Sequence, residues 1–189
     1  MITMGDSETA SRMRRLRQHG MNVSDLTRHG SARVVFESYD EVGYNYRMTD
    51  LQAGIGLVQL ERLSEMLNKR RSLALRYSER LSAISWLVIP TESDSCRHNF
   101  QSYMVRLQSD APVTRDQLMQ ELLSRGVSSR RGIMAIHREV PYRDGAWEER
   151  LPVTNLVTDT ALVLPLFYEM AEEEQDYVIE CLEQIGDQR

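Results

Sequence analysis

An α+β fold in two unequal parts, joined by a long helix, follows from three features of these 189 residues. The N-terminal third carries helix caps but no strand-like run. Residues 49–84 keep an apolar spacing of three and four without a proline. After residue 84, short β-branched and aromatic stretches alternate with capped helices, the order expected when helices and a sheet share a core.

Asp6 or Ser7 caps a first helix that runs to about Gln18 and stops at Gly20. Its Arg12, Arg14, Arg15 and Arg17 read as a solvated face. Residues 20–48, rich in Gly, Ser, Asp and Arg, are too long for an ordinary connection and are either functional or wrapped on a partner. Thr49 and Gln52 then form a capping box, opening a helix to Ile84 that only Gly54 and Gly56 weaken. Leu51, Ile55, Val58, Leu60, Leu63, Leu67, Leu73, Tyr77, Leu81 and Ile84 recur along it. About 36 helical residues reach roughly 54 Å at 1.5 Å each. A rod of that length bends near Asn68 or bridges two domains.

Residues 86–90 read as a strand ended by Pro90, and residues 99–107, with Phe100, Tyr103 and Val105, as a second. Thr114 and Gln117 form another capping box for a helix to Arg125, closed by Gly126. Residues 127–133 are a weaker third strand, and residues 137–152 a loop holding Pro141, Gly145 and Pro152. A short helix over 155–162, a buried apolar run over 162–166 and a last helix over 171–185 complete the order. The last helix places Tyr177, Val178, Cys181, Leu182 and Ile185 on one face.

Hydrophobic residues make up 41% and charged residues 27%, which excludes a disordered or collagen-like chain. No apolar run is long enough to span a bilayer, and the first residues have neither the basic nor the apolar part of a signal peptide. A soluble cytoplasmic protein is expected. Twenty-eight acids against 23 bases give a net charge of −5, which opposes binding to nucleic acid. Lys69 is the one lysine, so chemistry that needs a lysine amine must use it or look elsewhere.

Cys96 and Cys181 are far apart, with no CxxC and no paired histidine spacing, so no metal site is expected. Both suit a reducing compartment as small hydrophobes. His19, His29, His98 and His137 fall in no metalloprotease spacing, and no nucleophile elbow, Walker loop or GxGxxG is present. By spacing alone the sequence shows no catalytic residue set. The loop 43–48 is the most informative segment. Asn45 and Arg47, set beside a helix N-terminus, suit a phosphate, because free amides and the helix dipole favour an anion there. The other reading is a tight capped turn whose tyrosines pack under the helix.

From Gly43, Tyr44, Asn45, Tyr46, Arg47 and Met48 through Thr49, Asp50, Leu51 and Gln52 to Leu60, the sequence resembles the DegT/StrS family of pyridoxal-phosphate (PLP) sugar aminotransferases of fold type I. The resemblance extends in order to Leu16, Arg17, Gln18, His19 and Gly20, to residues 133–143 with His137, Pro141 and Tyr142, and to Leu164, Pro165 and Leu166 with the acidic start of the last helix. It implies a small C-terminal α+β domain over 85–189, a connecting helix over 61–84, and a remnant of the PLP-binding large domain with the dimer and cofactor loop over 1–60. It also implies that Asn45 reaches the phosphate of a partner subunit's PLP, with Tyr46 and Arg47 in the same loop. His137 and Tyr142 lie on a loop that approaches the substrate.

In the family a lysine holds the cofactor covalently just upstream of a segment like Ile2, Thr3, Met4, Gly5 and Asp6. The resemblance therefore puts that lysine ahead of this sequence, and Lys69, in the middle of the long helix, is not its counterpart. Ser7, Glu8 and Thr9 follow Asp6 where the family continues through a glycine pair and a strand, and Gly54 and Ala171 replace a usual Ala and Thr. The implied function is the C-terminal part of an enzyme moving an amino group, from glutamate, to a keto-sugar nucleotide in cell-surface polysaccharide or amino-sugar biosynthesis. Such a part is expected to bind no PLP alone, to be inactive alone and to self-associate as a homodimer or larger. A non-catalytic dimerisation or interaction module derived from the same family is the alternative.

Overall fold

Side-chain caps start four of the eight α-helices among the described residues. In the computed structural model, which describes residues 2–143, 145 and 147–187 without the side chains of Asp25, Leu26 and His29, the chain forms two units, Met1–Glu61 and Arg62–Arg189. In the first unit Asp6 accepts the Thr9 amide at 2.7 Å and opens α1 (Ser7–Leu16). Ser24 caps α2 (Asp25–Gly30), a helix inside the stretch 20–48 that is too long for an ordinary connection. Thr49 and Gln52 exchange both capping-box bonds, 3.3 and 3.0 Å, at the start of α3 (Asp50–Glu61).

α1 ends two residues before the expected Gln18, and the main chain of Tyr44 is the reason. His19 and Gly20 adopt positive φ, 65° and 76°, and the Gly20 amide returns to the Arg15 carbonyl at 3.0 Å. The carbonyl of Leu16 and the amide of His19 would pair with each other in a closed helix end. Here Tyr44 takes both, at 2.7 and 2.9 Å. The crossing is tight: a Cβ on Gly43 would lie 2.0 Å from the Gly20 nitrogen, and one on Gly20 would lie 2.0 Å from the Glu41 carbonyl oxygen. Arg12 and Arg15 hold the Glu41 carboxylate at 2.9 and 3.6 Å, so two of the arginines read as a solvated face are paired. Asn22 and Ser38 exchange bonds at 2.7 and 3.0 Å farther along the excursion. Met21 is the buried hydrophobic side chain of this unit among the described residues, and α3 buries none.

The long helix is interrupted at Arg62 and not at Asn68. Arg62, at φ −84° and ψ −8°, separates α3 from α4 (Leu63–Leu81), whose exposed Asn68 leaves the ladder intact. The helix also stops at Leu81, three residues before Ile84. In the second unit β1 (Leu87–Val88), β2 (Tyr103–Leu107), β3 (Arg130–Arg131) and β4 (Ala161–Leu164) form an antiparallel sheet in the order β1-β2-β4-β3. The strands are shorter than expected. Residues 99–102 are not strand, because Asn99 and His98 side chains take the Gln101 and Phe100 amides at 3.1 and 2.9 Å and Phe100 turns to φ 45°.

α5 (Arg115–Ser124) starts at the expected Thr114–Gln117 box and ends at Gly126, φ 78°. The expected loop over 137–152 instead holds 3₁₀ turns at Ile136–Arg138 and Val140–Tyr142 and the short α6 (Trp147–Arg150). Pro152, expected in that loop, opens α7 (Pro152–Thr160), as a proline without an amide donor is suited to do at a first helical position. α8 (Glu172–Gly186) closes the chain, with Glu174 reaching back to the Ala171 amide at 2.8 Å.

One core joins Leu73, Tyr77 and Leu81 of α4, Leu118 and Leu122 of α5, and Ile179, Leu182 and Ile185 of α8 to Tyr103, Val105, Leu162 and Leu164 of the sheet. Gln175, fully buried, is satisfied by donating to the Leu73 carbonyl at 2.7 Å. Cys181 belongs to this core, whereas Cys96, expected to behave as a small hydrophobe, is exposed. Tyr177, expected on the apolar face of the last helix, is also exposed and donates its hydroxyl to the Arg125 carbonyl at 2.9 Å. Among the described residues no helix is long and apolar enough to cross a membrane.

Candidate functional site

The loop before α3 is built by pairing. Tyr44 and Tyr46 place their amides on the Leu16 and Arg17 carbonyls, at 2.7 and 2.8 Å, and Asn45 forms an antiparallel bridge with Gln18. Alternate residues of an extended segment point to opposite sides, so the Tyr44 and Tyr46 rings share a side and stack at 5.3 Å, 8° from parallel. Both rings are exposed, so they do not pack under the helix as the second reading of this loop expected. The Arg47 Nε donates to Asn45 Oδ1 at 3.5 Å. The loop thus carries an amide and a guanidinium side by side, exposed, four and two residues ahead of Thr49, the cap of α3.

His137 lies in the second unit and is enclosed. Its side chain is 8% exposed, and its Nε2 stands 2.8 Å from Asn155 Oδ1 and 3.2 Å from Glu148 Oε2. Asn155 Nδ2 donates to the Glu148 carbonyl at 2.6 Å. Arg138 closes the network with bonds to both oxygens of Glu148, 3.2 and 2.6 Å, and to Asp159. These bonds to Arg138 hold the Glu148 and Asp159 carboxyls below the ordinary carboxylate range and raise the guanidinium in return. Tyr142, expected on the same loop as His137, is exposed and shares no hydrogen bond with it among the described residues.

A cavity of about 100 Å³ adjoins the network, with Arg115, Arg131, Arg138, Glu139 and Asp159 in its wall. Its charges are largely spent internally: Arg115 donates to the Thr158 carbonyl at 3.0 Å, satisfying the end of α7, and Arg138 is held by two acids. Among the described residues no group of three or more His, Cys, Asp and Glu side chains is placed to hold a metal ion.

A family model for the DegT/DnrJ/EryC1/StrS aminotransferase family matches residues 1–183. The chain belongs to this family. Among solved structures, the aminotransferase TlmJ from Streptoalloteichus hindustanus is 27% identical with a TM-score of 0.79, over 95% of this chain and 45% of that one. Spr1654 from Streptococcus pneumoniae in its PLP-form is 23% identical with a TM-score of 0.82, over 97% and 45%. Helicobacter pylori PseC, an aminotransferase involved in the biosynthesis of pseudoaminic acid, is 18% identical with a TM-score of 0.83, over 97% and 47%. The last two show the fold. The chain spans less than half the length of each of these structures.

Enzymes of the DegT/DnrJ/EryC1/StrS family depend on PLP, and the residues present fit one end of that group. Asn45 and Arg47 offer neutral and charged donors of the kind a phosphate takes. Lys69, the chain's lysine, is exposed on α4 and does not fit a covalent anchor, which needs an amine enclosed against the cofactor. Asn45, Tyr46 and Arg47 belong to Met1–Glu61, whereas His137 and Tyr142 belong to Arg62–Arg189. The sequence reading missed Arg138, Glu148, Asn155 and Asp159. Arg138 ends the 3₁₀ turn, and Glu148, Asn155 and Asp159 stand 10 to 21 residues from it, a separation that follows no helical or strand period, so only the packing of α6 and α7 reveals them.

Proposed function

We propose that these residues are the C-terminal part of a PLP-dependent aminotransferase that carries an amino group, from glutamate, to a keto-sugar nucleotide in the cytoplasm. The product would serve cell-surface polysaccharide or amino-sugar biosynthesis. Membership of the DegT/DnrJ/EryC1/StrS family over residues 1–183 is the observation that carries this reading. The involvement of PseC in pseudoaminic acid biosynthesis supports a sugar-derived substrate.

Bound PLP supplies the electron sink that lets an amino group leave one carbon and join another. In this reading the chain's own residues bind and orient. Asn45 donates its amide to the phosphate of a partner subunit's cofactor, Arg47 adds charge beside it, and Tyr46 holds the loop against α1 through its main chain. His137 and Tyr142 serve the substrate side. Residues 1–60 are the large-domain part with the dimer loop, 61–84 the connecting helix and 85–189 the small domain. The apolar residues of α3, such as Leu51 and Leu60, 76% and 66% exposed, become covered in a homodimer or larger assembly. The covalent lysine comes from another segment of the enzyme, so these 189 residues alone are inactive.

The reading is tested by mixing the chain with a lysine-bearing large-domain half of a family enzyme and measuring PLP retention. Replacing Asn45 by Ala should weaken retention by about 10- to 100-fold, the worth of a hydrogen bond to a charged group. Unchanged retention in Asn45→Ala contradicts the role given to this loop.

A further inference from the structure

The hydrogen-bond partners of His137 decide which of its ring nitrogens carries the proton. Glu148 is kept ionised by its bonds to Arg138, so its oxygens only accept. The Asn155 amide is oriented by its Nδ2 bond to the Glu148 carbonyl at 2.6 Å, which leaves Oδ1 facing the ring. A nitrogen set between two acceptors, at 2.8 and 3.2 Å, has to be the donor. The neutral ring therefore carries its hydrogen on Nε2 and its lone pair on Nδ1. Nδ1 has no hydrogen-bond partner among the described residues.

We infer that Asn155 and Glu148, the latter clamped by Arg138, are positioning residues that fix His137 as the Nε2–H tautomer, leaving Nδ1 as the acceptor for a substrate hydroxyl. The inference rests on the reading of His137 as a substrate-side residue and adds the atom that acts and the side chains that select it. The arrangement is the one that turns an imidazole from a donor-or-acceptor mixture into a defined acceptor: one nitrogen is committed to fixed oxygens, the other is left to the ligand. Each partner comes from a different helix, Glu148 from α6 and Asn155 from α7, so the two short helices also fix the ring plane.

Imidazole nitrogen NMR on the 189-residue chain, labelled at histidine and assigned with His137→Gln, reads the tautomer directly. The expected result is a protonated Nε2 and an unprotonated Nδ1 with widely separated shifts. In Asn155→Leu/Glu148→Ala the two shifts should move toward each other as the tautomers mix, while Asn155→Asp, which keeps an acceptor at that place, should retain Nε2–H. A wild-type ring protonated on Nδ1, or a double variant with an unaltered tautomer, overturns the inference. The wild-type spectrum decides even where the double variant does not fold. Absence of amino transfer in the mixture with a large-domain half counts against the aminotransferase reading alone, since the tautomer is measured without turnover.

Discussion

Asp176 is one point at which charged side chains join α8 to α4. It stands on α8 and accepts from Arg76 through both oxygens, each at 2.8 Å, and from Arg80 at 2.9 Å, two arginines one helical turn apart on α4. Its carboxyl lies below the ordinary aspartate value of 3.8, first because of the Arg76 bond, so the folded chain holds the ionised form more strongly than the unfolded chain does. This contribution is complete above the ordinary value and disappears as pH falls through the lowered one. Acid titration followed by circular dichroism should show a shallower loss of stability below pH 3.8 in Asp176→Asn than in the wild type. Equal slopes would contradict it. Such pairs were not legible in the sequence, because Arg76 and Asp176 are 100 positions apart and each reads alone as surface charge. Gly20 and Gly126 were legible as helix stops, since a positive φ at a helix end favours glycine.

At the scale of elements, local chemistry was readable and competition was not. Both capping boxes form where Thr and Gln stand three apart, because each needs only one turn of chain. The helix break at Arg62, the turn of Phe100 and the start of α7 at Pro152 depend on which of several local options the packing selects. The end of α1 is the clearest case, since Tyr44 diverts the bonds that would finish the helix. Gly43→Ala tests that pairing, as its Cβ would lie 2.2 Å from the His19 carbonyl carbon. Hydrogen exchange should show loss of protection at the His19 and Tyr46 amides, with Val105 in the sheet unchanged. Retained protection at His19 would show that the crossing tolerates a side chain.

For the whole molecule, the two units differ in how they bury their apolar residues. Arg62–Arg189 closes a core of three helices and a sheet, while α3 in Met1–Glu61 buries no residue and exposes Leu51, Ile55, Leu57, Val58 and Leu60. The family was legible because its motifs run in order along the chain, and the same motifs single out the loop of Asn45, Tyr46 and Arg47 as the proposed phosphate site. The His137 network was not, because it is assembled by tertiary packing between short helices. An enclosed lysine beside a phosphate-binding loop is what amino transfer with PLP requires, and Lys69 on the exposed face of α4 does not supply it. The direct test is turnover: the purified chain is incubated with PLP, glutamate and a keto-sugar nucleotide, with and without a lysine-bearing large-domain half. Amino-sugar formation only in the mixture is the predicted result, and amino-sugar formation by the 189 residues alone would contradict the account.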